Sequence, residues 1–386
     1  MERSTRKRKR SANPVKSQDN NTEQSCENSL DLNVYLTYDV LRMLFQYLNG
    51  RDLSNAAMVC RSWSEAASNE HCTRGPVCFI GDYSECSQVE HQIRDLYIKP
   101  RLGILFMPRI PENLKGHIDR TVPSDCEIVI LYVPGIIINN EEMEDCLYPK
   151  VVCTFLPEIP NVSINTCQVI KLNSRKGYAA VEELNKMISR VPKVNHETST
   201  CLMLFCNDSA REIANVMISA LKKSHDDKIC SVWGGVVDIS YVHNSDWQVP
   251  YCIAVLISGA IRTWSTIIDV KCNTKEVIEN RLKSFKDRIK LKKHSIGFMF
   301  VCTARGSAMH GKENVESTIF KTLFPNVPLV GCFGDGEFGK NTMDIDDAKE
   351  ETSVNKQRNS GRNKHSRRKD VWYNEFSTVF MILTYG

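Results

Sequence analysis

The residue types that chemistry needs gather between positions 294 and 339. Cys302-Thr-Ala-Arg305-Gly306 sets a thiol three positions before a guanidinium, and Glu316 and Gly334-Asp-Gly336-Glu337-Phe-Gly339 add two carboxylates and three glycines. A cysteine nucleophile with His294 or His310 as its base requires an electropositive, accessible thiol with the base in hydrogen-bond reach. Nothing in the spacing supplies that setting, and a cysteine closing an apolar run has the character of a small buried residue. Glu316 and Glu337 could form an acid and base pair, but glutamates on a helix and in a turn are more often solvated or structural. The glycines match G-x-G-x-x-G, yet that fingerprint needs a following helix and an acid about 20 residues on, and a charged run follows here instead. What remains is binding. Glycine lets backbone N–H groups approach a ligand closely, and one arginine between two carboxylates suits a zwitterion or a charged peptide end. The expected pocket is therefore Cys302, Arg305, Gly306, Glu316, Gly334, Gly336 and Glu337, with no catalytic residue and no cofactor. No metal is expected either, since His71, Cys72, Cys78, Cys86 and His91 do not have the tight Cys-x2-Cys spacing of a zinc site.

Those side chains need strands to deliver them. An apolar run over 296–301 reads as a buried strand ending at Cys302, a helix over 314–323 carries Glu316, and a strand over 328–333 ends at Gly334. Upstream, short apolar runs at 103–107, 128–138, 151–155, 201–206, 236–239 and 252–257 read as strands. Segments 181–191, 210–223 and 275–291 have helical period, with Val277, Ile278, Leu282, Phe285 and Ile289 forming the apolar stripe of the last. Strands alternating with helices make an α/β body with mixed sheets.

Ahead of that body, residues 33–67 read as two helices. Leu36, Val40, Leu41, Leu44, Phe45 and Leu48 recur at helical spacing, with Thr37 or Asp39 placed to cap the start and Gly50 to supply a left-handed stop. Asp52 is placed to cap a second helix, which carries Leu53, Ala56, Ala57, Cys60 and Trp63 on one face. A segment below about 40 residues cannot bury so many apolar side chains among themselves. Either the rest of the chain or a separate protein must cover them.

Composition bounds the rest. The chain has 386 residues, 42% hydrophobic, and 16 cysteines without paired spacing, which fits globular domains in a reducing compartment with free thiols. No run approaches the about 18 apolar residues of a membrane span, so no membrane is expected. The net charge of +4 hides two basic runs, Arg6-Lys7-Arg8-Lys9-Arg10 near the start and one over 354–370, with an acidic remainder. That distribution argues against a direct nucleic-acid-binding domain, which concentrates positive charge on folded structure. Residues 1–32 and 341–370 lack apolar period and are expected to be disordered, and the first basic run has the form of a nuclear import signal.

Leu36, Val40, Leu41, Leu44, Leu48, Leu53, Val59, Cys60 and Trp63, with the Val-Cys-Arg-x-Trp ending, resemble the F-box, and Thr37 stands where that family usually has proline. The resemblance implies that these nine residues bind a Skp-type adaptor and, through it, a cullin scaffold. Cys302-x-x-Arg305-Gly306 and Gly336-Glu337-x-Gly339 resemble the C-terminal half of the FIST domain. Val133-Pro134-Gly135, Trp233-Gly234-Gly235 and Ser258-Gly259 are similar to landmarks of its N-terminal half. Together these imply an F-box over 33–67, FIST halves over 75–270 and 271–386, and a non-catalytic cytoplasmic and nuclear subunit that captures target proteins for ubiquitination and proteasomal degradation. The alternative the FIST resemblance implies is a sensor of amino-acid-like ligands.

Overall fold

The computed structural model describes residues 36–82, 86–108, 114–144, 149–171, 174–191, 197–244, 246–342 and 372–386. The expected import run Arg6–Arg10 and nearly all of the charged segment 341–370 lie outside them.

Three helices come first: α1 (Tyr38–Phe45), α2 (Gly50–Ala56) and α3 (Arg61–Cys72). The expectation of two is corrected because the chain breaks between Ala57 and Cys60, where Cys60 takes an extended conformation as the N-cap of α3. Asp52 does not cap α2; Asn49 does, accepting from the Asp52 N–H at 2.8 Å. Gly50 is the first residue of that helix and not a left-handed stop.

The body repeats one order of elements three times. The first run is β1 (Val77–Asp82), α4 (Cys86–Arg94), β2 (Pro100–Met107), α5 (Leu114–Thr121), β3 (Glu127–Tyr132), β4 (Ile136–Ile138), β5 (Glu141–Met143) and β6 (Lys150–Pro157). The second is β7 (Val162–Val169), α6 (Ser174–Arg190), β8 (Ser199–Cys206), α7 (Arg211–His225), β9 (Ser231–Val236), β10 (Asp238–His243), β11 (Asp246–Gln248) and β12 (Cys252–Gly259). The third is β13 (Arg262–Ile268), α8 (Lys275–Asp287), β14 (His294–Cys302), α9 (Ser307–His310), α10 (Val315–Leu323), β15 (Leu329–Gly334), β16 (Glu337–Gly339), β17 (Tyr373–Asn374) and β18 (Thr378–Tyr385). The expected seam at 270/271 falls inside this third run, between β13 and α8.

Each run builds most of one six-stranded sheet and gives its short strand pair to another. The orders are β1-β6-β2-β3-β10-β11, then β17-β16-β9-β8-β12-β7, then β13-β18-β14-β15-β4-β5. Thus β4 pairs with β15, β10 with β3, and β16 with β9, closing a ring of exchanges. A two-stranded hairpin is marginal alone in water, so each pair gains its stability from a sheet built by a different stretch of chain. Within every sheet the central pair is parallel, β2 with β3, β8 with β9 and β14 with β15.

Side-chain alternation places two layers of core. Ile104 and Phe106, Met203 and Phe205, and Phe298 and Phe300 face one shared core, where the Trp233 ring lies 6.4, 5.5, 5.1 and 6.2 Å from Phe106, Phe205, Phe298 and Phe300. The opposite faces are covered by α4 and α5, by α6 and α7, and by α8 and α10. Strands covered on both faces read as continuous apolar runs, as at 201–206, 252–257 and 296–301, whereas the runs at 128–138 and 236–239 each straddle two strands, β3 with β4 and β9 with β10, and sequence reading misses β13 as a strand. Among the described residues no helix is long and apolar enough to cross a membrane.

Candidate functional site

The seven residues expected to form a pocket converge where β14 and β15 end, since Cys302 and Gly334 are register partners in that parallel pair. They meet as a closed knot. Arg305 has no exposed surface. Its Nε and Nη2 donate to Glu316 Oε1 at 3.1 and 2.6 Å, Nη1 donates to the Asp269 and Phe376 carbonyls at 3.2 Å each, and Nη2 also donates to the Cys272 carbonyl at 2.9 Å. A guanidinium has five N–H donors, and all five are occupied by the chain itself.

Glu316 is equally buried, and His310 Nε2 lies 3.1 Å from its Oε1. Burial alone would raise its pKa, but the His310 hydrogen bond and the Arg305 charge outweigh that and hold the carboxyl below its usual range. The glycines are pressed by protein groups: a Cβ on Gly306 would sit 2.3 Å from the Glu144 carboxyl carbon, and one on Gly334 would sit 2.5 Å from the Phe300 ring. Gly336 has φ +86°, in the left-handed region, and its open side faces the Tyr373 hydroxyl. After Gly336 the chain continues as strand β16, where a dinucleotide site needs a helix.

The exchanged pair β4 and β5 seals the knot. Glu144 accepts from the Ser307 N–H at 2.6 Å, and Glu142 accepts from the Ser317 N–H at 2.7 Å. Both carboxylates therefore sit at the N-terminal turns of helices, α9 and α10, where free N–H groups attract negative charge. Sequence reading misses these two glutamates, because their partners lie more than 160 positions away.

Glu337 differs from Glu316 in that no cation pairs with it among the described residues. Burial pushes its pKa up to about 7, opposed in part by the N–H and hydroxyl of Ser377 at 3.0 and 2.8 Å. Burial, and then the nearby Glu337 charge, also push the Cys302 thiol up, which disfavours a thiolate. A carboxyl whose folded pKa exceeds its unfolded value contributes stability below the unfolded pKa and loses it as pH rises through the folded one. Between about pH 4.5 and 7 the loss is on the order of 3 kcal/mol. Glu337→Gln is therefore expected to be more stable relative to the native chain at pH 8 than at pH 5. Denaturant midpoints at the two pH values check this, and equal differences at both would refute it.

The helical module presents the opposite arrangement. Its own core is Leu41, Phe45, Leu53, Ala56, Ala66 and Ala67, with Phe45 and Trp63 edge to face at 5.3 Å. Of the residues expected at the adaptor surface, Leu41 and Leu53 are fully buried in that core. Val40, Leu48 and Trp63 are half-buried, and Leu36, Leu44, Val59 and Cys60 are exposed. Sequence reading leaves out Tyr38, Met43, Tyr47 and Met58, which are also exposed. Their signal is present in the spacing, since Met43 and Tyr47 are one turn apart on either side of Leu44. Among the described residues, seven of fifteen exposed large apolar side chains fall within 36–59, with Tyr47 at 83% and Met58 at 77% exposure. A bare apolar surface so concentrated marks an interaction site.

An F-box-like family model matches residues 38–74, which take in α1, α2 and α3. F-box only protein 22 from Pongo abelii and from Homo sapiens are each 21% identical to the chain over 343 residues, spanning 78% of it and 84% of their own length. Among solved structures, a cyanuric acid hydrolase from A. caulinodans overlaps 80% of this chain and 99% of its own at 8% identity, with a TM-score of 0.39 that is too low to bear on function.

Proposed function

We propose that this chain, an F-box protein that resembles F-box only protein 22, is a substrate-recognition subunit of a Skp, cullin and F-box ubiquitin ligase. The supporting observation is a helical module, matched by the F-box-like model, that closes its own small core yet leaves Tyr38, Met43, Leu44, Tyr47, Met58 and Val59 exposed. A Skp-type adaptor covers that surface, as helix packs on helix. The α/β body, FIST-like in its motifs, captures the target protein. Holding a target lysine beside the ubiquitin-charged enzyme raises its effective concentration, and no side chain of the receptor needs to react.

The reading is tested by mixing purified chain with a purified Skp-type adaptor. Co-elution as a one-to-one complex is the expected result, followed by ubiquitin transfer when the cullin scaffold and charged conjugating enzyme are added. Separate elution at micromolar concentrations of both would end the proposal.

A further inference from the structure

Between the end of α3 at Cys72 and the start of β1 at Val77 there are only four residues, and the module is fastened to the body on both sides of them. Gly50 lies where the chain enters α2, and its N–H donates to the Leu96 carbonyl at 2.7 Å. A Cβ on Gly50 would stand 2.0 Å from the Ile98 carbonyl oxygen and 3.1 Å from that of Leu96, so only glycine permits the contact. Leu96 and Ile98 are themselves buried in the core between the first sheet and α4 and α5, which makes this a contact with rigid structure.

Arg74 forms the second fastening. It is 6% exposed, and its Nη2 donates to the Phe45 carbonyl at the end of α1 at 2.8 Å. Its Nη1 donates to the Tyr97 carbonyl of the body, and its Nε to Glu70 of α3 at 3.0 Å. One guanidinium thus ties two helices of the module to segment 96–98. Beyond it, a Cβ on Gly75 would lie 2.6 Å from His294 Nδ1, so the chain enters the body pressed against the first residue of β14.

We infer that Gly50 and Arg74 are positioning residues that hold the F-box at one angle to the body and so select which lysines receive ubiquitin. The inference rests on the ligase reading above. A rigid joint confines each lysine of the body, and of anything bound to it, to a narrow zone relative to the adaptor. A hinged joint would let many lysines visit the charged enzyme, each for a smaller fraction of the time. Transfer depends steeply on placement, with small displacements changing rates by tenfold or more.

The test needs no identified target, because the chain's own lysines serve as the probe. Chain, adaptor, cullin scaffold and charged conjugating enzyme are combined, and modified lysines are mapped by mass spectrometry over time. The native chain is expected to modify a restricted set on one side of the body. Gly50→Ala keeps a good helix former at the start of α2 and alters chiefly the Ile98 contact. It should bind adaptor within about twofold of the native chain, yet spread modification over more faces while the favoured lysines slow by roughly tenfold. Arg74→Met should do the same and carries the test if Gly50→Ala does not fold. Unchanged lysine patterns and rates in the folded variants would overturn the inference. So would a native pattern already scattered over every face, or loss of adaptor binding in both variants, which would mean the two residues hold the module together instead of aiming it. Failure of the ligase reading looks different: the native chain itself would neither bind adaptor nor become modified.

Discussion

Leu44→Asp is expected to abolish capture of a Skp-type adaptor while leaving the melting temperature of the free chain within about 2 °C of the native value. Leu44 is 49% exposed and flanked by Met43 at 57% and Tyr47 at 83%, so an aspartate there remains in water when the chain is alone. Substitutions at such sites usually change stability by less than about 0.5 kcal/mol. In a complex the same carboxylate would be carried into an apolar contact without a partner. Residues at the centre of an interface cost about 2–4 kcal/mol when disrupted, which corresponds to a loss of roughly 30-fold to 1000-fold in affinity. Leu41→Ala, three positions earlier, is the informative contrast. Leu41 has no exposed surface and belongs to the module's own core, so truncation should cost about 2–5 kcal/mol of stability and impair binding only through loss of the folded module. Titration calorimetry with adaptor, set beside thermal melts, separates the two. Native affinity for Leu44→Asp would mean that the exposed face of α1 is not where the adaptor sits.

Arg305→Ala is expected to destabilise the body by about 3–5 kcal/mol. The substitution strips Glu316 of its cation inside the protein, removes the guanidinium donor from the carbonyls of Cys272 and Phe376, and leaves the Asp269 carbonyl with the Cys272 N–H at 2.8 Å. Phe376 sharpens the effect. Its φ of +56° lies in the left-handed region, costly for an aromatic residue, and its carbonyl bond to Arg305 helps keep it there. The double variant Arg305→Met with Glu316→Leu should recover much of the loss, because it removes both charges of the buried pair together. Urea midpoints for the native chain, the single variant and the double variant measure these differences. A single variant that loses less than about 1 kcal/mol would mean that the guanidinium is not structural and is free for a ligand, as the sequence motif implies.

The helical stretch at the front, the strands at 296–301, 201–206 and 252–257, and the helix expected over 275–291, which the structure ends at Asp287, were legible in the residues. Each is local: an apolar period of 3.6 or an unbroken apolar run states how one segment buries itself against something. The gathering of Cys302, Arg305, Glu316 and Glu337 at one place was legible too, because strand ends and the turn after them carry those residues together. What their gathering does was not. Whether Arg305 faces a ligand or a glutamate depends on Glu316 reaching back 11 positions and on carbonyls 33 and 71 positions away, and no short window of sequence contains them.

The same limit separates Leu41 from Leu44. Both fit one helical stripe, and only the packing of α3 under α1 decides that the first is core and the second is surface. The threefold exchange of strand pairs, the acids in and just after β5 capping helices of another run, and the fit of Gly50 beneath Ile98 were likewise decided by tertiary structure alone. The chain's residues determine which segments are helix and strand and which faces must be covered, because those preferences act over a few neighbours. Which surface covers which, and what is left bare for a partner, follows from packing between residues up to more than a hundred positions apart, where one side chain's donors are satisfied only by the position of another.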